Sequence, residues 1–257
     1  MTALLVKNFS CRLHHNLRSP LILLQSNSFQ AHPASMSSDF PNRPVINLRT
    51  IFLNDFWFKF FGTSAFMSLF FWAYLFLLKN PKFPVTTIPL TVVDQWIGFA
   101  PLALIPYLSL WIYCSLPVTL MPTRSRLLNF GFWIGAMCLL ALSIFYWWPN
   151  AVPPASIDWT QYPGVAFLKE VDAGGNACPS LHVAAAVYSS FWLYWLMREV
   201  RLGRRAQSIQ VLWSVAIVYS TMATKQHVSL DVLAGVVLGT VFAGISKWFD
   251  GKLPLMR

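Results

Sequence analysis

Six long apolar stretches separated by shorter polar ones dominate the pattern along the chain, at about 57–78, 97–120, 127–148, 181–197, 206–224 and 228–248. Each approaches the roughly 20 residues needed to cross about 30 Å of hydrocarbon. A backbone in lipid must satisfy its own hydrogen bonds, so the pattern predicts membrane-spanning helices rather than an open sheet. Pro101, Pro106 and Pro117 predict that the second stretch is kinked or partly interfacial. The expected fold class is all-α, an integral membrane bundle of six helices over residues 56–248. A polar tail, 1–55, is expected to be disordered, and 249–257 to form a short cytoplasmic tail.

Composition supports the membrane class. Apolar residues make up 56% of the 257 positions and charged residues only 11%, too few to cover a soluble globule, which carries about 25%. The formal charge is +10, which by itself suggests a nucleic-acid partner. The cations, however, fall in short clusters between uncharged runs, as cytoplasmic loops do, so no nucleic-acid partner is expected. With the N-terminus inside, 15 of the 19 Lys and Arg residues are cytoplasmic and only Lys79, Lys82, Lys169 and Lys225 are outside. The loops after the third and fifth helices then face outward together. A plasma or inner membrane is the expected location, with the active side non-cytoplasmic.

Several features have structural readings. Trp57, Trp96, Trp147, Trp148 and Trp248 lie at segment ends, where indole prefers the headgroup layer. Gly235 and Gly239 form a GxxxG pair on the sixth segment and predict close helix packing. Cys11, Cys114, Cys138 and Cys178 include no CxxC pair and read as small core hydrophobes. The tail has no acidic residue before Asp39. That composition is shared by transit peptides, by cytoplasmic arms and by sequence upstream of a start at Met36.

The chemistry is concentrated in two histidines. His14, His15 and His32 belong to the tail, whereas His182 opens the fourth segment and His227 precedes the sixth. Asp231, four residues after His227, shares its helix face and can hydrogen-bond to it. A carboxylate inside an apolar run costs about 2.5–3.5 kcal/mol on insertion scales and calls for such a partner. Around His182 the chain reads Asp172-Ala173-Gly174-Gly175-Asn176-Ala177-Cys178-Pro179-Ser180-Leu181. Pro179 and Ser180 predict a helix start whose free N–H groups suit an anion, with Ser180 adding a hydroxyl. The glycines fit either close approach to a ligand or a plain turn.

Two imidazoles, a buried carboxylate and a helix N-terminus suit phosphoryl transfer without a metal or cofactor. One imidazole, oriented by the carboxylate, attacks phosphorus while the other acts as acid near neutral pH. Lys225 and Lys169 are the cations on the same side, each open to the alternative of snorkelling to headgroups. Asp158-Trp159 and Tyr162-Pro163 either line a headgroup mouth or pack at the interface.

Pro179-Ser180-Leu181-His182 together with His227-x3-Asp231 resembles the second and third signature motifs of the type 2 phosphatidic acid phosphatase (PAP2) superfamily. The resemblance covers about 57–248 and implies a haloperoxidase-like six-helix core acting on a lipid phosphate or diphosphate. It further implies that His227 is the nucleophile forming a phosphohistidine, Asp231 its orienting partner and His182 the leaving-group acid. Ser180, Lys225, Lys169 and Asn176 are the expected phosphate-binding positions.

The family's usual first motif, a Lys followed after six residues by Arg-Pro, is absent. Ser220-Thr221 stands where the third motif normally has Ser-Arg. Thr224-Lys225-Gln226-His227 instead resembles the branch containing inositolphosphorylceramide synthases and related lipid phosphotransferases. Three functions therefore stay open from sequence: hydrolysis of a lipid phosphate, transfer of its phosphoryl group to another hydroxyl, and a non-catalytic transporter or scaffold.

Overall fold

The computed structural model describes residues 48–171 and 174–252. All six expected segments are helical. The elements run α1 (Leu48–Leu53), α2 (Phe56–Lys79), β1 (Thr86–Thr87), α3 (Val92–Trp96), α4 (Leu104–Leu108), α5 (Leu110–Leu120), α6 (Arg124–Trp147), β2 (Asn150–Ala151), α7 (Pro163–Val171), α8 (Leu181–Glu199), α9 (Arg204–Ala223) and α10 (Ser229–Asp250). The prolines act as expected on the second segment: it is broken into a 3₁₀ turn at Pro101–Ala103, α4 and α5, with Pro117 inside α5. The expected disorder of 1–55 is corrected at its C-terminal end. Residues 48–53 form α1, and Ile51 is buried there. The tail histidines, Cys11, Met36, Asp172 and 253–257 lie outside the described residues.

Among the described residues, four helical stretches are long and apolar enough to cross a membrane: Phe56–Lys79, Pro101–Leu120, Arg124–Trp147 and Ser229–Asp250. The expected spans α8 and α9 are less apolar for a physical reason. α8 is the central helix, packed against α5, α6, α9 and α10, so its polar groups meet protein rather than lipid. α9 begins with Arg204 and Arg205 and carries Gln210, which is buried and accepts the Tyr113 hydroxyl at 2.7 Å.

The GxxxG pair sets the tightest contact. A Cβ on Gly235 would stand 2.5 Å from the Ser180 carbonyl oxygen, and one on Gly239 2.5 Å from that of Ala184. Only glycine lets α10 approach α8 this closely. Tyr188, Trp192 and Phe130 fill the neighbouring core between α6, α8 and α10. The predicted anchors Trp57, Trp96, Trp147, Trp148 and Trp248 are all exposed.

Among the described residues, the Lys and Arg ion pairs gather at one end of the bundle. Arg126 on α6 binds Glu199 at 2.5 Å and Asp250 at 2.8 Å, and Lys247 binds Asp250 at 2.9 Å. The opposite end is closed by loops. β1 pairs in parallel with β2, and Ala151 bridges to Gly175. That end holds the beginnings of α8 and α10.

Candidate active site

Ser180 caps α8, its Oγ accepting the Val183 N–H at 3.3 Å. Its own N–H donates to the Asp231 backbone carbonyl at 3.0 Å. The first turns of α8 and α10 are thereby joined by main chain. His182 follows on α8, while His227 sits on the short turn before α10, where Lys225 adopts a left-handed backbone (φ 58°). That conformation is uncommon for a lysine and marks a sharp reversal.

The imidazoles and the carboxylate, far apart along the chain, converge. His227 Nδ1 lies 3.2 Å from Asp231 Oδ2, and His227 Nε2 lies 3.3 Å from His182 Nδ1. Asp231 is fully buried and His227 nearly so. Asp231 Oδ2 also accepts the Val228 N–H at 3.0 Å. Beyond His182 stands a residue that the motif pattern does not mark: the buried Tyr107 hydroxyl, 2.9 Å from His182 Nε2.

With both imidazoles neutral, this chain has one consistent proton arrangement. A carboxylate only accepts, so His227 carries its proton on Nδ1 and presents a lone pair at Nε2. His182 Nδ1 therefore donates to that lone pair, and His182 Nε2 accepts from Tyr107. The nitrogen suited to attack phosphorus is thus the one facing the second imidazole.

A family model described as the PAP2 superfamily matches residues 90–245. The chain belongs to the PAP2 superfamily. Searches of curated proteins and of solved structures return no match. PAP2 members are phosphatases or phosphotransferases, and the matched span contains His182, His227 and Asp231.

The other predicted positions are arranged unequally around the cluster of His182, His227 and Asp231. Ser180 is buried at the α8 start, and its capping bond uses an oxygen lone pair rather than the hydroxyl proton. Asn176 is buried, with its amide donating to the Tyr74 carbonyl at 3.4 Å. It nevertheless lines the same cavity as His182 and His227, about 940 Å³ in volume. Lys225 donates to the Ile97 carbonyl and lines a separate small pocket of about 110 Å³, which His227 also borders. Lys169 donates to the Lys225 carbonyl and lies over the Trp159 ring. Trp159 and Tyr162 pack edge-on against Phe99, which favours the interfacial-packing reading of that loop.

Two further positioning residues are absent from the sequence reading. Asn150 is buried, and its side chain grips Cys178 from both directions: Oδ1 accepts the Cys178 N–H at 2.7 Å and Nδ2 donates to the Cys178 carbonyl at 2.9 Å. This fixes the approach to Ser180 and His182. Asp94 accepts the Ser229 N–H at 2.7 Å and the Ser229 hydroxyl at 2.9 Å, tying α3 to the start of α10. Burial pushes the Asp94 carboxyl up, but hydrogen bonds from Thr91 and Ser229 outweigh it and hold the group below its ordinary value. Burial, reinforced by the Asp231 carboxylate, pushes the Cys178 thiol up to about 11, so it stays protonated and inert at neutral pH. Among the described residues no group of three His, Cys, Asp or Glu side chains has the arrangement of a metal site.

Proposed function

We propose that this PAP2 protein hydrolyses a lipid phosphate or diphosphate through a phosphohistidine on His227. The observation carrying the reading is the line Asp231–His227–His182, with the His227 lone pair aimed at the acid. Nε2 of His227 forms a bond to phosphorus as the bond to the leaving oxygen breaks. His182, protonated on both nitrogens with substrate bound, gives its Nδ1 proton to that oxygen. Water then attacks phosphorus, His182 recovers a proton from it, and the nitrogen–phosphorus bond breaks. The Ser180 hydroxyl and the free amides of the first turn of α8 hold the equatorial oxygens. Lys225, which borders a small pocket with His227, and Lys169, bound to the Lys225 carbonyl, supply positive charge, and Asn176 faces the cavity of His182 and His227.

A second reading replaces water by the hydroxyl of an acceptor lipid, as in the phosphotransferase branch. The size and apolar lining of the cavity at His182 and His227 favour it, because such a space admits a second lipid more readily than bulk water. In either case the site faces the non-cytoplasmic side, opposite the basic end at Arg126 and Lys247, of a plasma or inner membrane.

The test is turnover of the full chain in vesicles with a ³²P-labelled lipid phosphate, quenched in alkaline dodecyl sulfate. Base-stable, acid-labile label on His227, lost in His227→Ala, supports the phosphohistidine. Release of label to water marks hydrolysis, and its appearance in a second lipid marks transfer. No turnover, with His227→Ala indistinguishable from the unaltered chain in lipid binding, leaves a scaffold.

A further inference from the structure

The cavity that begins at His182 and His227 extends far beyond what a phosphate needs. One stripe of α2 lines it at four-residue intervals: Phe58, Gly62, Phe66, Phe70 and Tyr74. At 1.5 Å per residue these span about 24 Å of depth. Leu127 and Gly131 of α6 and Val118 of α5 line its far half. The far end is closed by Lys59, whose ammonium donates to the carbonyls of Ile51 at 2.9 Å and Thr119 at 3.2 Å. The near end is roofed by the buried side chains of Tyr107, Tyr74 and Leu181. Toward the far end the exposed Leu128 and Phe132 open it sideways to hydrocarbon.

Each leaflet supplies only about 15 Å of a hydrocarbon core of about 30 Å. A groove about 24 Å deep, starting at the outer rim, therefore passes the bilayer midplane. A chain anchored at the histidines and held extended reaches the far end beside Lys59 only when it is long enough to run the whole depth, and a shorter one leaves that end without its contacts. A void in a protein forfeits its packing contacts, so the groove discriminates in favour of a chain that fills it. The hydrophobic effect alone does not, because lipid tails are as apolar as the groove.

We propose that the groove is the binding site for a single long apolar chain of the phosphorylated substrate, one that crosses the midplane and ends beside Lys59, and that groove depth selects substrates by chain length. This rests on the phosphoryl-transfer reading for the identity of the head. The α2 wall lies ahead of the matched PAP2 span, residues 90–245, and the α5 and α6 walls lie within it. Gly62 and Gly131 set the bore: both line the groove, and a Cβ at either meets nothing within 4 Å. A larger side chain there grows into open space rather than into a neighbour.

The experiment uses the full chain in phosphatidylcholine vesicles with octyl, hexadecyl and tetracosyl phosphates, each carrying a photoreactive diazirine at the chain end. Tetracosyl phosphate is expected to label residues around Lys59, Gly62 and Leu127, and octyl phosphate residues around Tyr107 and Leu181. Gly62→Leu and Gly131→Leu are each expected to abolish the deep label and to lower the ratio of tetracosyl to octyl turnover about tenfold. Since labelling needs no turnover, the two readings separate. Deep labelling in a chain that forms no phosphohistidine sinks the chemistry and keeps the groove. Turnover with the tetracosyl label confined to lipid-facing residues such as Trp72 and Leu69, or spread through bulk lipid, overturns the groove. So does a turnover ratio that neither glycine variant moves.

Discussion

His227 Nε2 and His182 Nδ1 face each other across 3.3 Å. That gap fits a hydrogen bond and is too short to admit a phosphorus atom, so in the proposed reaction the substrate parts the two rings. The proposed acid would then stand beside the leaving oxygen because it has been displaced from the proposed nucleophile. His182→Ala should slow turnover of alkyl phosphates by about 10²- to 10⁴-fold and that of nitrophenyl phosphate far less. Equal losses on both esters would remove His182 from the acid role.

Tyr107 is expected to act through His182. Its hydroxyl donates to Nε2 in the resting tautomer and accepts from it once His182 is protonated, since a hydroxyl can do either. Losing one such bond is worth about 1–3 kcal/mol, so Tyr107→Phe should lower kcat about ten- to a hundredfold with little change in KM. The acidic limb of the pH–rate profile should move with it. A profile of unchanged shape, with only thermal stability reduced, would make Tyr107 a packing residue.

Asn150 holds Cys178 by two hydrogen bonds, a side chain doing what a neighbouring strand would do. Asn150→Ala leaves a buried N–H and carbonyl without partners and should cost about 1–3 kcal/mol for each group that water cannot reach. Because Ser180 lies two residues on, activity should fall further than stability predicts. Calorimetry alongside kinetics measures both.

Gly239 and Gly244 provide a paired comparison on one helix. Ala at 239 drives a methyl group to 2.5 Å from the Ala184 carbonyl, whereas Ala at 244 meets nothing within 4 Å. Gly239→Ala should destabilise by about 1–3 kcal/mol. Gly244→Ala should be neutral or should stabilise by up to about 1 kcal/mol through helix propensity. Unfolding in one detergent resolves the two.

The Asp94 contact gives a pH dependence of definite sign. Its folded pKa is depressed below the ordinary value, so its stabilisation is complete above the unfolded pKa, about 3.9, and is lost as pH falls through the lower folded value. Hydrogen-exchange protection of the Ser229 amide should hold down to about pH 4 and then decline. Asp94→Asn should lack that step. Protection in the unaltered chain that ignores pH throughout this range would contradict the carboxylate's role.

The helices and the motif triad were legible because each stands out locally. A run of twenty apolar residues has few other fates, and Asp231 is conspicuous inside one. Tyr107, Asn150 and Asp94 were not legible for the opposite reason. Their partners are 75, 28 and 135 residues away, and by type they pass for an interfacial aromatic, a turn residue and a helix cap. The helix α1 escaped because six residues carry too little periodicity to separate from a tail. The roles of Lys225 and Lys169 were framed by charge alone. Their engagement with the Ile97 and Lys225 carbonyls depends on how the outer loops fold over one another.

The wiring of α2 differs in kind from that of its neighbours. α8 and α10 are riveted by glycine contacts at one end, and α6, α8 and α10 are joined by the Arg126 and Lys247 ion pairs at the other. α2 is fastened near its extremities, through Lys59 to α1 and α5 and through Tyr74 to Asn176. Between those moorings Phe66 and Phe70 hold its middle to the bundle by apolar contact. A greasy guest sliding in from the side would meet apolar contacts here while its head would part the two rings elsewhere, so the doorway and the hearth are built from different timbers.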